Sequence, residues 1–144
     1  MTVAPQIDGD YFLKMDYQTD FTAGELAQRR HRLAADLEAN SVALIPGAEA
    51  VQGSEIFRQF NDFYYFSGVV EPHAYLLIAA SGQTTLFLAE NQHTPFTVDN
   101  AAWVKTVTGL EAVLPLSALA QRLQRQKMVY VPGREGEGSR MSWD

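Results

Sequence analysis

The chain has 144 residues, of which 47% are hydrophobic, enough for one domain that buries roughly 70% of its unfolded surface. A formal net charge of −6 spread along the sequence disfavours nucleic-acid binding, and the lack of cysteine excludes disulfides and thiolate metal sites. Because no apolar run approaches the roughly 20 residues of a membrane-spanning helix and the amino terminus does not resemble a secretory signal, we expect a soluble cytoplasmic protein without membrane contact.

The first predicted helix begins at a capping box, in which the Thr22 hydroxyl accepts a backbone amide and Glu25 reaches back to the cap. The helix is expected to end near Asn40. An apolar stripe recurs along it at helical spacing and comprises Leu26, Leu33, Ala34 and Leu37. The dense basic run Arg29, Arg30, His31 and Arg32 fans around the helix axis, so we interpret it as a solvated helix face.

The apolar run at residues 42–45, closed by Pro46 and Gly47, predicts a buried strand. Two further apolar runs, 74–80 and 84–89, are separated by three turn residues and predict an antiparallel hairpin. Apolar side chains on both faces of these runs indicate inner strands covered by helices.

A second helical stripe starts near Ser117 and comprises Leu116, Leu119, Ala120 and Leu123. A strand is predicted at residues 128–131. Two helix-strand units therefore flank the hairpin.

The most specific segment is residues 57–72, with six aromatic side chains beside charged residues and a turn glycine. If residues 63–66 are extended, Phe63 and Tyr65 share one face of a strand and Tyr64 and Phe66 the other. At least half of these rings are expected to be core, and one face is free to meet a neighbouring domain.

Two further expectations concern charged and turn residues of this segment. Arg58 and Asp62 are close enough in sequence to form a charge-assisted clamp, for which we hypothesise a structural role. Gly68 suits a left-handed or tight-turn conformation.

The order of the residues in this segment resembles the central signature of the amino-terminal domain of the creatinase and aminopeptidase P family. The residues that carry it are Arg58, Asp62, Tyr64, Tyr65, Gly68, Glu71 and Pro72, to which we assign a structural or cleft-rim role. The similarity extends from about residue 21 to 131. It implies an α/β domain with a mixed sheet of about six strands flanked by helices, in a ribonuclease H-like arrangement.

The resemblance also implies a domain organisation and a function. Residues 1–20 are an amino-terminal extension, 21–132 the domain, and 133–144 a linker or disordered tail. In this family the domain is the non-catalytic partner of a "pita-bread" metallopeptidase domain, absent from this chain, which releases an amino-terminal residue preceding proline with two divalent ions, expected to be manganese. The domain then shapes the substrate cleft and the subunit contacts of a homo-oligomer. The alternative is a stand-alone peptide-binding or protein-interaction module.

One segment departs from the family pattern. Where the family carries acidic residues followed by Trp, Gly and Arg, this chain has residues 91–100 and a displaced Trp103. We take His73 and Trp103 as candidates for a cleft or interface position. The three histidines, His31, His73 and His93, are scattered, and Ser54 and Ser67 lack a triad pattern, so we assign neither a metal ligand nor a catalytic residue to this chain.

Overall fold

A computed structural model describes residues 17–50, 56–90 and 94–134. The helices are α1 (Ala23–Asp36), α2 (Asn61–Ser67), α3 (Ala101–Thr108) and α4 (Leu119–Gln124), and the strands are β1 (Ser41–Pro46), β2 (Tyr75–Ala79), β3 (Thr84–Leu88), β4 (Ala112–Pro115) and β5 (Met128–Tyr130). Short 3₁₀ turns, Val98–Asn100 and Leu116–Ala118, lead into α3 and α4. The expected extension up to residue 16, the expected tail from residue 135, Ser54 and His93 lie outside the described residues.

The strands form one mixed sheet in the order β4-β3-β2-β1-β5. Strand β2 pairs antiparallel with β1 and β3, whereas β5 runs parallel to β1 and β4 runs parallel to β3. Strand β2 therefore runs against the other four. The mixed sheet and its flanking helices are confirmed; the described part of the chain contains five strands, where the resemblance implies about six.

Both faces of the sheet are covered, which explains why the hairpin strands do not alternate between apolar and polar residues. On one face, Leu76, Ile78 and Leu86 are fully buried in a cluster that α1, α2 and α3 complete. On the other, Leu77 and Phe87 belong to a second cluster, which α4 covers. The predicted hairpin and its inner position are confirmed.

Helix α1 begins where its sequence predicts, because Thr22 Oγ1 accepts a hydrogen bond from the Glu25 amide at 3.1 Å. The Glu25 carboxylate, however, pairs with Arg29 Nε at 3.2 Å. The helix ends at Asp36, earlier than expected, since the backbone is already extended at Leu37. Of the apolar stripe, Leu26 and Ala34 are buried, and Leu33 and Leu37 pack against the core.

The basic run on α1 is only partly a solvated face. His31 and Arg32 are exposed as expected, but Arg29 is 8% and Arg30 only 3% exposed, so the prediction is wrong for both. Arg30 Nη1 donates to Phe66 O at 2.8 Å and its Nη2 to Thr108 O at 3.2 Å. These carbonyls lie at the carboxyl ends of α2 and α3, where backbone acceptors lack helical partners and a cation is favoured.

Two details of the carboxyl-terminal half also differ from expectation. The stripe of α4 packs through Leu116, Leu119 and Leu123, but Ala120 is exposed and Ala118 contacts the cluster in its place. Helix α3, which carries the fully buried Val104, fills a segment for which the sequence patterns indicate no helix. None of the helices among the described residues has both the length and the apolar composition that a membrane span requires.

Arg30 and Arg32 of α1 offer a matched test of buried charge. Arg30→Met should lower the free energy of unfolding by about 2–4 kcal/mol, because the Phe66 and Thr108 carbonyls lose their donor in a buried site. Arg32→Met, at an exposed position of the same helix, should change it by less than about 0.5 kcal/mol. Urea denaturation of both variants checks this, and equal losses would contradict the assigned contacts.

Candidate functional site

The candidate site is the edge of the sheet at which β1, β3, β4 and β5 end and β2 begins. The segment between β1 and β2, residues 47–74, leaves and re-enters the sheet at this edge and carries the signature. In α/β sheets, ligands bind preferentially outside the carboxyl ends of the strands. We therefore call it the carboxyl edge.

The aromatic part of the segment is a helix, α2, and the extended conformation considered for residues 63–66 is wrong. Helical geometry places Phe63 in the core at 0% exposure, whereas Tyr65, expected on the same face, is 45% exposed. Phe60 and Phe66 pack against the core from partly buried positions. Strand-like residues adopt a helix here because tertiary packing overrides local propensity.

Gly68 ends α2 in the left-handed conformation, with φ of 70°, as the turn prediction requires. Its amide donates to Tyr64 O at 2.8 Å. A Cβ at this position would lie 2.9 Å from the Tyr17 hydroxyl and 3.0 Å from Gln18 Cγ. Gly68 therefore serves both the backbone conformation and a close approach of the segment before α1.

The hypothesised Arg58–Asp62 clamp is wrong. Both oxygens of Asp62 accept from Arg134, Oδ2 from Nε at 2.9 Å and Oδ1 from Nη2 at 2.7 Å. Arg58 is exposed. Arg134 also donates to Pro46 O, and its guanidinium lies 4.1 Å from the Phe60 ring centroid. An arginine expected to lie in a linker thus completes the clamp.

Gln59 is the polar centre of the carboxyl edge, although its place in the signature led to no predicted role. Its Oε1 accepts from the amides of Ala48 at 2.8 Å and Phe60 at 3.0 Å. Its Nε2 donates to Val69 O at 3.3 Å and Glu71 O at 3.1 Å. One side chain therefore joins the exit from β1 to the return toward β2. The signal in the sequence is its place in the signature, directly after Phe57 and Arg58.

The tyrosines of the signature join α2 to the start of the described chain. Tyr64 donates to Asp20 Oδ2 at 2.8 Å. The Tyr65 ring lies 4.1 Å from the Arg29 guanidinium, which also stacks on Phe21 at 4.1 Å. Asp20, assigned from the sequence to an amino-terminal extension, therefore contacts the domain directly.

Tyr17 makes a second contact from the same expected extension. Its hydroxyl donates to Ser67 O at 3.0 Å, and burial raises its pKa. For Tyr64, burial first, then the hydrogen bond to Asp20 and the charge of that carboxylate, raise the pKa to about 12. Both phenols are therefore held in the neutral form.

Glu71 and His73 hold the loop before β2. Glu71 is 5% exposed, and its Oε2 accepts from Thr94 Oγ1 at 2.5 Å. His73 has φ of 62°, donates its amide to Ala48 O at 2.8 Å and accepts at Nε2 from the Ala50 amide at 3.4 Å. Pro72, between them, is partly buried. Of these side chains only that of His73 is exposed at the edge.

Trp103 packs edge-to-face on Phe96, with ring centroids 5.2 Å apart, against the core.

An apolar groove with a volume of about 190 Å³ lies beside β1. It is lined by Leu33, Leu37, Ala43, Leu44, Ile45, Asp62, Phe66, Tyr130, Val131 and Pro132.

Within residues 17–50, 56–90 and 94–134, no three histidine or carboxylate side chains come together in a way that could hold a metal ion. The described residues therefore do not fit a two-metal hydrolytic centre, which needs several such ligands around each ion. What the carboxyl edge offers is a fixed polar framework with exposed side chains around it.

Two kinds of comparison with known proteins, by family model and by solved structure, both give aminopeptidase P. The family model for the aminopeptidase P amino-terminal domain matches residues 26–130. Among solved structures, the low-pH form of aminopeptidase P from E. coli is 25% identical with a TM-score of 0.67, over 83% of this chain and 30% of that chain.

Two further structures share the fold. The E. coli enzyme with the inhibitor Pro-Leu is 23% identical with a TM-score of 0.66, over 86% of this chain and 35% of that one. A putative aminopeptidase P from Bacillus anthracis is 18% identical with a TM-score of 0.65, over 82% and 33%. A search of curated proteins found no match. The chain spans about a third of the length of these solved structures.

Substitutions at two glycines with positive φ distinguish the free-energy cost of backbone strain from that of a steric contact. Gly68→Ala and Gly82→Ala both place a side chain in a left-handed conformation, at a cost on the order of 1–2 kcal/mol. Gly68→Ala should lose about 1 kcal/mol more, because its Cβ meets Tyr17 and Gln18, whereas nothing lies within 4 Å of a Cβ at Gly82. Chemical denaturation measures the difference, and equal losses would refute the contact.

The raised pKa of Tyr64 predicts a loss of stability at high pH. The folded protein holds the neutral phenol more tightly than the unfolded chain does, so this contribution is complete below pH 10 and disappears as the pH rises toward about 12. Wild type should therefore lose more stability across this interval than Tyr64→Phe. Asp20→Asn should lower the pKa measured by phenolate absorbance. Parallel losses in wild type and Tyr64→Phe would contradict this.

Proposed function

This chain belongs to the aminopeptidase P amino-terminal domain family, and from that premise we propose that it is the non-catalytic part of an Xaa-Pro aminopeptidase-like hydrolase. Its role there is to shape the substrate cleft and the subunit contacts. The observation that carries the proposal is the family match over residues 26–130, which spans every strand of the sheet from β1 to β5. The parent activity is the release of an amino-terminal residue that precedes proline.

The hydrogen bonding of the carboxyl edge supports a role as a cleft wall. Gln59, Asp62 and Glu71 are each engaged by partners from other parts of the domain. Contacts of this kind with other parts of the domain hold the wall in one position, as precise substrate placement requires. Arg58 and His73 are exposed beside this framework, and we assign them to the cleft rim.

The relatives support the proposed substrate class. The E. coli protein was solved with the inhibitor Pro-Leu, and a peptide that begins with proline is what remains when the residue ahead of proline is removed. In our proposal, hydrolysis takes place outside these 144 residues, at two divalent ions, expected to be manganese, that would activate water. The residues of this chain contribute shape and hydrogen bonding around that chemistry, and homo-oligomer contacts belong to the same proposal.

A second candidate function is a stand-alone peptide-binding module. The observation that favours it is the apolar groove of about 190 Å³ between α1, β1 and α2, which has Asp62 in its lining. A groove that combines apolar walls with one polar group is typical of small ligand sites. In this case the chain would bind a peptide without cleaving it.

One set of assays separates the two functions. The 144-residue chain, supplied with manganese, should not hydrolyse a tripeptide with proline in its second position. A longer product of the same gene should hydrolyse it, and should not cleave the matched peptide with alanine there. Removal of metal with a chelator should abolish that activity.

Calorimetry with the same tripeptide tests the alternative. Binding by the 144-residue chain, without any longer active product of the gene, would favour the module. Turnover by the 144-residue chain itself would contradict both functions, because each assigns it no catalytic centre.

A further inference from the structure

Residues 131–134, which we call the strap, lead from the end of β5 to the amino-terminal end of α2. Three interactions fix the last residue of the strap: the bidentate pair of Arg134 with Asp62, its hydrogen bond to Pro46 O and its stacking on Phe60. The Arg134 side chain is only 5% exposed. The remainder of the strap is held weakly, since Val131 is 55% exposed and Gly133 is also exposed.

The strap forms one wall of the apolar groove. Val131 and Pro132 line it, opposite Leu33 and Leu37 of α1, and Asp62 belongs to the same lining. The strand before the strap adds little restraint, because β5 contains three residues and pairs with β1. The contacts of Arg134 are therefore the main attachment of this wall.

We propose that the strap is a latch, closed by the Asp62–Arg134 pair, which opens as a local unit and exposes the apolar groove. Segments with few buried apolar contacts open at a free energy below that of global unfolding. Here the closing free energy is concentrated in one residue, Arg134, whose bidentate contact with Asp62 is charge-assisted. Loss of that contact frees residues 131–134, while the sheet and α1 stay folded. The latch goes beyond the proposed function and does not depend on it.

Trypsin cleavage tests the latch directly. Trypsin cuts the bond after Arg134, and the Arg134 side chain that it must bind is buried when the strap is closed. Asp62→Asn leaves Arg134 in place and removes the charge that holds it. Cleavage after Arg134 should become about tenfold faster, the factor expected for the loss of one charge-assisted hydrogen bond. Asp36→Asn is the matched control, since Asp36 is exposed on α1, and it should leave the rate unchanged.

A second site distinguishes local opening from global unfolding. Cleavage after Arg30, which is 3% exposed in the interior, should stay slow in Asp62→Asn. Arg134→Lys keeps the charge and the trypsin site but loses the fork that binds both carboxylate oxygens, so it should be cleaved at an intermediate rate. Arg134→Gln should bind more of an apolar fluorescent dye than Asp36→Asn does.

Two outcomes would overturn the latch. Equal cleavage rates after Arg134 in Asp62→Asn and Asp36→Asn would mean that the ion pair does not hold the strap. If Asp62→Asn increased the cleavage rates after Arg134 and after Arg30 by the same factor, the strap would open only when the whole domain unfolds.

Discussion

The fold depends on the burial of one guanidinium, that of Arg30, between the carboxyl ends of two helices. Helices α2 and α3 both end at left-handed glycines, Gly68 and Gly109, and each directs a carbonyl at Arg30. Burial lowers the pKa of Arg30, while electrostatic interaction with Tyr17 and Glu111 opposes that change. Because arginine stays protonated, its desolvation is offset by these carbonyls, which would otherwise lack partners.

The position of the signature helix follows from this constraint. Arg29 and Arg30 hold the carboxyl end of α2 against α1, and Arg134 holds its amino end through Asp62. Gln59 then joins the residues before α2 to the loop that enters β2. Helix α2 has seven residues, too few to be stable alone in water, so its conformation is a product of these contacts. The geometry of the carboxyl edge is therefore set by contacts with α1 and with the segment after β5.

The parts of the fold that were predictable from sequence have local signals. The Thr22 cap and the hairpin from Tyr75 to Leu88 are specified by residues a few positions apart. The Asp62–Arg134 pair joins residues 72 positions apart, and nothing near Asp62 distinguishes that arginine from Arg58. Helix α2 was missed because its aromatic residues favour strands. The sequence predicts a left-handed or tight-turn conformation for Gly68, and a glycine in the left-handed conformation is also the usual helix terminator.

The division of labour in the proposed function follows from how the polar groups of the carboxyl edge are satisfied. A carboxylate that serves as a general base must lie within hydrogen-bonding distance of the proton that it removes from the substrate. Asp62 has both oxygens on Arg134, and Glu71 is 5% exposed and accepts from Thr94. With the strap closed, releasing Asp62 would leave the buried Arg134 side chain unpaired, which costs more than the bond itself contributes. These residues therefore act by holding the edge in place, which is why our proposal assigns the cleft rim to exposed neighbours such as His73.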